Sequence, residues 1–296
     1  MPNKRIETTT SRTAEWTCLS RAVSSLEEND CYKSADTIAL KLMPTRIRLI
    51  FGNPLVRKYI YRRIPAKGMY EYVIARTKYI DSIFKEALMQ HFDQILILGA
   101  GFDTRALRFH EPGGKTKIFE LDATTTQQAK ITQYRKRGLK VPPNLAFIPI
   151  DFDKESLSAK LEEAGFEKHK RSLFILEGLL MYLQPESVDE TFRIIQDFAG
   201  AGSQVVFDHV YSSVLRHEGV YEDERKIVEQ VSRAGEKWTF GIEKGRVEQF
   251  LSKYDLRLCE QKDAPLLEKM YFTDSAGRVV GHVNGTHCLV RAEKPG

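Results

Sequence analysis

The chain has 296 residues, of which 42% are hydrophobic and 29% charged, and a formal net charge of +5. That length buries a full core, as one large α/β domain with an elaboration or as two small domains, and that composition excludes a disordered chain. No window approaches the ~18 apolar residues of a membrane span; Met1 to Thr10 is polar, unlike a secretory leader, so a cytoplasmic protein without a membrane partner is expected.

Up to about residue 90 the chain reads as helices, and 1–90 is expected to form an N-terminal cap or lid on a second unit, 91–296. One helix is predicted from Arg12 to Glu28 and another over Ala35–Met43, stopped by Pro44. Between Asp36 and Glu71 stand eight basic residues without an acid: Lys41, Arg46, Arg48, Arg57, Lys58, Arg62, Arg63 and Lys67. The rest of the chain therefore sums to −3 (5 − 8). A basic segment on a mildly acidic body points to a partner met by that segment. Aromatics are interleaved there (Phe51, Tyr59, Tyr61, Tyr70), as in single-strand nucleic-acid binders. A solvated helix face explains the charges more simply, so neither nucleic acid nor an acidic lipid surface is the expected partner.

Short helical pieces flank the Gly52-Asn53-Pro54 turn and end before Pro65. The next helix, Met69 to Phe92, carries Val73, Ile80, Ile83, Phe84, Ala87 and Leu88 at helical spacing, which defines a buried stripe. Arg76 falls on that stripe, three residues after Val73 and four before Ile80. A guanidinium there requires an anionic partner, because burying it alone is very costly. No acid stands at i±4, so a ligand is the expected partner.

From residue 94 strands and helices alternate. Strands are predicted at Gln94–Leu98, Thr116–Leu121, Leu145–Ile150, Ser172–Leu176, Gln204–Phe207, Leu256–Cys259 and His287–Arg291. Helices are predicted from Asp103, up to Arg137 before Gly138, over Lys154–Ala164 before Gly165, from Pro185 to near Gly200, and over Glu222–Ala234 and Glu243–Lys253. Apolar strands separated by helices imply an α/β fold with a doubly wound, mostly parallel sheet covered on both faces. Four scattered cysteines without a CxxC pair, and seven histidines without HxxxH or HExxH spacing, point to free thiols and to no metal site.

In such sheets ligands bind beyond the carboxyl ends of the strands. The first strand ends in Leu98-Gly99-Ala100-Gly101-Phe102-Asp103, where Gly99 and Gly101 let the backbone turn tightly against a ligand. The second ends in Glu120-Leu121-Asp122, an acid at the spacing that suits ribose hydroxyls. The pleat is expected to turn only one of these two carboxylates toward the ligand. Asp151 with Phe152 follows the third strand and Glu177 the fourth, so acids line one edge of the sheet. A dinucleotide site wants a third glycine under its pyrophosphate. Here Thr104 or Arg105 holds that place, and Asp103 would repel an anion. S-adenosyl-L-methionine, with a sulfonium and an ammonium and no phosphate, suits such a cleft.

Ser11–Ala22 (SRTAEWTCLSRA), Met69–Asp81 (MYEYVIARTKYID), Ile95–Phe109 (ILILGAGFDTRALRF), Phe119–Asp122 (FELD), Ile150–Phe152 and Phe174–Leu183 (FILEGLLMYL) resemble, in order, the leucine carboxyl methyltransferase family. The likeness is nearest to its prokaryotic branch of S-adenosylmethionine-dependent methyltransferases. It implies a class I methyltransferase (Rossmann-like) fold, with seven strands, the last antiparallel, under a helical N-terminal lid. It implies that Arg76 binds the cofactor carboxylate, that Gly99 and Gly101 approach the methionyl part, that Asp122 takes the ribose, and that Asp151 with Phe152 takes the adenine. Glu177 would lie near the amino-acid end or the sulfonium, and Arg21 would also join the pocket.

The methyl donor is already activated, so the protein's task is to orient a desolvated acceptor in line with it. The expected acceptor is a small acid or peptide carboxylate, held beneath Lys41–Lys67 acting as a cationic lid. A hydroxyl or phenol acceptor is the alternative and would gain from a base. Tyr182, beyond the fourth strand, and His209 and Tyr211, beyond the fifth, are the candidates.

Overall fold

The computed structural model describes residues 10–63, 65–110, 114–152 and 154–296, apart from the side chains of 58 and 60–63. The first nine residues, and the side chains of Lys58, Tyr61, Arg62 and Arg63, thus lie outside the described residues.

The chain opens with α1 (Arg12–Ser24), whose N-cap Ser11 accepts a hydrogen bond from the Ala14 N–H. It ends four residues before the predicted Glu28, where Leu26 N turns back onto Val23 O. Next comes α2 (Thr37–Leu42), capped by the Asp36 carboxylate on Ala39 N and halted before Pro44. The hairpin of α3 (Thr45–Gly52) and α4 (Pro54–Arg63) follows, then the long α5 (Met69–Met89). Gly68 launches α5 at φ +78°, and a Cβ there would sit 2.5 Å from Asn284 N, so the start of this helix is pinned to the far end of the chain.

A seven-stranded sheet is built from β1 (Gln94–Leu98), β2 (Lys117–Asp122), β3 (Leu145–Pro149), β4 (Ser172–Leu176), β5 (Gln204–Val210), β6 (Arg257–Lys262) and β7 (His287–Glu293). Their order is β3-β2-β1-β4-β5-β7-β6. The first five pair in parallel, and β7 runs antiparallel between β5 and β6. The winding reverses between β1 and β4, the switch point at which such sheets open a crevice. β5 extends past the predicted Phe207 and takes in Asp208 and His209. The helix expected from Asp103 is a single turn, α6 (Arg105–Arg108).

The helices between and after the strands are α7 (Thr124–Lys136), α8 (Leu157–Glu163), α9 (Pro185–Phe198), α10 (Ser212–Leu215), α11 (Glu224–Arg233), α12 (Val247–Ser252) and α13 (Ala264–Tyr271). The last was not anticipated. Side chains of β1 alternate between two cores. Ile95 and Ile97 pack with α5 and α13, while Leu96 and Leu98 pack with α8, α9 and α12. The expected division near residue 90 therefore falls inside a continuous core, since Ile80, Phe84 and Ala87 of α5 share one cluster with Ile95, Ile175 and Val206. α5 is a layer of the α/β sandwich as much as part of a cap.

Candidate functional site

Beyond the carboxyl ends of β1 and β4 lies a cavity of ≈ 640 Å³. Its floor is the turn after β1, where Gly99 and Gly101 adopt φ of +64° and +50°. A Cβ on Gly99 would meet Leu179 Cδ1 at 2.9 Å, and one on Gly101 would meet Ala14 Cβ at 3.2 Å. The glycines thus let both the loop after β4 and α1 close over the same turn. Gly99→Ala is expected to lower stability by about 1–2 kcal/mol from the left-handed backbone alone, with the Leu179 collision added. A urea titration giving an unchanged midpoint would contradict this.

Asp122 lines the cavity and accepts from Gly101 N through Oδ2 and from Ala123 N through Oδ1, the latter at 2.6 Å. Burial pushes its pKa up to about 6 against the pull of those two N–H groups. Glu120 does not line the cavity. Residues two apart share a face of a strand, so the pleat does not separate these carboxylates as expected; depth does. Glu120 is buried against Lys130 Nζ at 2.5 Å, and burial raises it to about 7. Asp151 and Phe152 lie at the cavity rim, with the Asp151 carboxylate one-third exposed and 3.0 Å from Lys154.

Arg76 lines the cavity but is not left for a ligand alone. Its NH1 donates to Asp208 at 2.7 Å, and its Nε lies 3.0 Å from Glu177 Oε1. The partner missing at i±4 is supplied from β5 and from the end of β4. Asp208 is fully buried and also accepts from Tyr72 Oη (2.8 Å) and Gly178 N (2.5 Å). Glu177 further accepts from Arg105 NH1 at 2.7 Å, and the surrounding guanidinium groups outweigh burial and hold it down at about 2. From Arg105 the pairs run on to Asp103 and Asp81, from Asp81 to Arg108, and through Asp36 to Arg21 on α1. Arg21 reaches the cavity wall, with NH2 on Phe102 O at 2.6 Å. Within this network five carboxylates (Asp36, Asp81, Asp103, Glu177, Asp208) face four guanidinium groups (Arg21, Arg76, Arg105, Arg108), an excess of one negative charge.

Tyr182 lines the cavity, and its hydroxyl lies 3.5 Å from Thr13 Oγ1. Burial raises its pKa to about 12, so it stays protonated. His209 is a correction. It is fully buried within β5, its Nδ1 lies 3.0 Å from Val210 O, and it does not line the cavity. A ring that cannot reach the acceptor cannot be its base, and Tyr211 stands outside the cavity too. The cationic lid is corrected likewise, because none of the described cations of Lys41–Lys67 lines the cavity. Arg57 is turned inward onto the carbonyls of Phe51, Gly52 and Leu26, and Lys67 pairs with Glu222. The lining is instead rich in apolar and aromatic side chains, with Met69, Tyr72, Met181, Ile227, Trp238 and His287, beside a buried Glu236 that accepts from the Ser11 and Thr13 hydroxyls. Sequence reasoning missed Asp208, Trp238 and His287. Of these only Asp208, an acid directly after the apolar run Val205-Val206-Phe207, carried a local signal. Among the described residues no group of His, Cys, Asp and Glu is placed to hold a metal ion, and no helix is long and apolar enough to cross a membrane.

The leucine carboxyl methyltransferase profile matches residues 14–196. The chain is 26% identical over 201 residues to the "Putative S-adenosyl-L-methionine-dependent methyltransferase YktD" of Bacillus subtilis, covering 68% of this chain and 66% of that one. It is 34% identical over 143 residues to a Mycobacterium marinum protein of the same description, covering 48% of this chain and 47% of that one. The matches thus span about half to two thirds of the curated relatives' length. Among solved structures, a Streptomyces avermitilis duf574 family protein superposes with a TM-score of 0.61 at 14% identity, covering 98% of this chain and 100% of that one. A Thermobifida fusca chain, named a putative methyltransferase, gives 0.59 at 16% identity over 94% of each. At these identities the two structures establish the fold, that of class I methyltransferases.

Proposed function

The chain belongs to the leucine carboxyl methyltransferase family, and on that footing we propose that it is an S-adenosylmethionine-dependent O-methyltransferase acting on a small-molecule or peptide acceptor. The observation that carries the cofactor reading is the charge of the cavity lining, where the carboxylates Asp103, Asp122, Asp151, Glu177 and Glu236 outnumber the guanidinium groups Arg12, Arg21 and Arg76. A ligand with a sulfonium, an ammonium and one carboxylate has a net charge of +1 and complements that excess; a pyrophosphate would add to it. The cradle fits as well, since the glycine turn admits close backbone approach and Asp122 stands twenty-one residues on from Gly101, at its side.

When bound, S-adenosylmethionine supplies a methyl group already activated on sulfur. The chain's own residues then have three tasks. Asp122 would accept from the ribose hydroxyls, and Asp151 with Phe152 would border the adenine. Arg76 and Arg21 would hold the carboxylate of the amino-acid end, and Glu177, ionised at any ordinary pH, its ammonium. Met181, Trp238 and their neighbours exclude water from the acceptor, so that the acceptor oxygen meets the methyl group desolvated.

Calorimetry tests the cofactor reading. S-adenosylhomocysteine should bind in a one-to-one complex and NAD should not bind measurably. The reverse preference would overturn it.

A further inference from the structure

We propose, resting on the methyltransferase reading, that His287 is the catalytic residue that accepts the acceptor's proton, and that the acceptor is a neutral hydroxyl compound with an apolar or aromatic body. The hydrogen bonds around His287 fix where its proton sits. Asn284 Nδ2 donates to Lys67 O (3.0 Å) and Glu222 O (2.9 Å), which sets the orientation of the amide. Asn284 Oδ1 therefore faces Thr286 and accepts from its N–H (3.0 Å) and from its hydroxyl (2.6 Å). The single proton of Thr286 Oγ1 is taken up by that bond. At 2.8 Å from His287 Nδ1, Oγ1 can then only accept, so Nδ1 carries the hydrogen and Nε2 carries a lone pair. All three residues are buried, at 0–3% exposure, and His287 lines the cavity.

Burial also lowers His287 to about 3, with Arg76 and His209 adding to the fall and Asp208 opposing it, so the ring is neutral at pH 7. Trp238 packs edge-on with its ring centre 5.3 Å from that of His287. Its Nε1–H is buried and turned toward the Tyr182 hydroxyl. An unmet acceptor thus faces the cavity. A hydroxyl satisfies it by donating to Nε2, whereas a carboxylate turns its own lone pairs against Nε2. Nor is a spare cation at hand there: Arg76 is held by Asp208 and Glu177, and Arg12 lies at the exposed rim.

In the transfer a lone pair of the acceptor oxygen forms the bond to the methyl carbon, and the carbon–sulfur bond breaks with its pair kept on sulfur. As the oxygen becomes cationic its O–H bond breaks, the proton passes to Nε2, which even a weakly basic ring then accepts, and the imidazole returns it to water.

The matched pair 2-naphthol and 2-naphthoate, with one apolar body and two head groups, provides the test. In calorimetry on the complex with S-adenosylhomocysteine, 2-naphthol should bind about tenfold or more tightly than 2-naphthoate, the penalty of an unpaired buried polar group. In the free protein labelled with ¹⁵N-histidine, magnetic resonance should show His287 protonated at Nδ1 and bare at Nε2, and 2-naphthol should shift Nε2. His287→Ala should slow methyl transfer to 2-naphthol by about 100-fold or more while leaving S-adenosylhomocysteine affinity essentially as it was. His287→Gln, which keeps an acceptor atom in place, should retain 2-naphthol binding. Tighter binding of 2-naphthoate, binding of neither compound, or a proton on Nε2 would overturn the assignment. Failure of S-adenosylhomocysteine to bind would strike the cofactor reading instead, and the tautomer, read in the free protein, would still decide this one.

Discussion

Replacing Arg105 with methionine is expected to destabilise the protein by about 3–5 kcal/mol, the usual consequence of removing one partner from a buried ionic group. Arg105 is 2% exposed, and it is the hub on which three carboxylates converge. Its Nε donates to Asp81 at 2.8 Å and its NH1 to Glu177 at 2.7 Å and to Asp103. After substitution Asp81 keeps Arg108, and Glu177 keeps Arg76. Asp103 keeps only the Arg105 backbone N–H at 2.6 Å, and its largely buried charge loses its guanidinium partner. Methionine approximates the volume of the arginine stem, so packing loss contributes little. Adding Asp103→Asn removes the stranded charge and should recover part of the loss, a coupling that a double-mutant cycle reads directly. Arg193→Ala provides the contrast. That residue pairs with Asp189 on the surface at 71% side-chain exposure, where such pairs contribute about 0–1 kcal/mol. Urea midpoints for the variants decide the matter, and an Arg105→Met protein as stable as Arg193→Ala would show the network to be energetically idle.

The same network marks the limit of what the chain's order of residues discloses. β1 and β4 were legible to the residue, because each is a short apolar run with polar residues or glycine at its ends. β5 was cut at Phe207 because Asp208-His209 looks like the start of a loop. In the fold those two residues continue the strand, and Asp208 is buried because Arg76, 132 positions earlier, reaches it. The two anomalies, a guanidinium on an apolar stripe and an acid in an apolar strand, each pose a charge problem that the other solves. Only the topology, which lays α5 against β5, brings them together. α13 did carry its signal, with Asp263 capping Leu266 N and Pro265 in the first turn. His287 is a different case. Nothing near it in sequence distinguishes it from a strand residue, and its tautomer depends on an amide anchored to carbonyls at 67 and 222. The cationic lid failed for a related reason. Spacing along a helix does not say which basic side chains turn inward, and Arg57 does so to cap carbonyls.

Asp122→Ala should weaken S-adenosylhomocysteine binding by about 1.5–3 kcal/mol, a factor of ~10–150, the range for a charge-assisted pair of hydrogen bonds lost from a buried site. The carboxylate already holds Gly101 N and Ala123 N, so alanine also frees the floor of the cavity. Asp122→Asn separates the two effects, since it retains the shape and one acceptor oxygen but not the charge. The pH dependence sharpens the test. Burial raises Asp122 to about 6 in the free protein, above its unfolded value of ~3.9. Its contribution to folding is therefore fully present below that unfolded value and is lost as pH rises through about 6. Ligand binding has the opposite sign. Ribose hydroxyls donate to the ionised carboxylate, so affinity should rise between pH 5 and 7 and level off above, with proton release on binding at the acid end. Glu177, held at about 2, stays ionised across this window and contributes no slope. Glu120, at about 7, titrates within it but lies behind Lys130, away from the cavity. Asp122→Asn should therefore flatten the affinity profile while Glu120→Gln leaves it sloped. A folded Asp122→Ala protein that binds S-adenosylhomocysteine as tightly as the parent, or a parent profile flat from pH 5 to 7, would remove Asp122 from the ribose site.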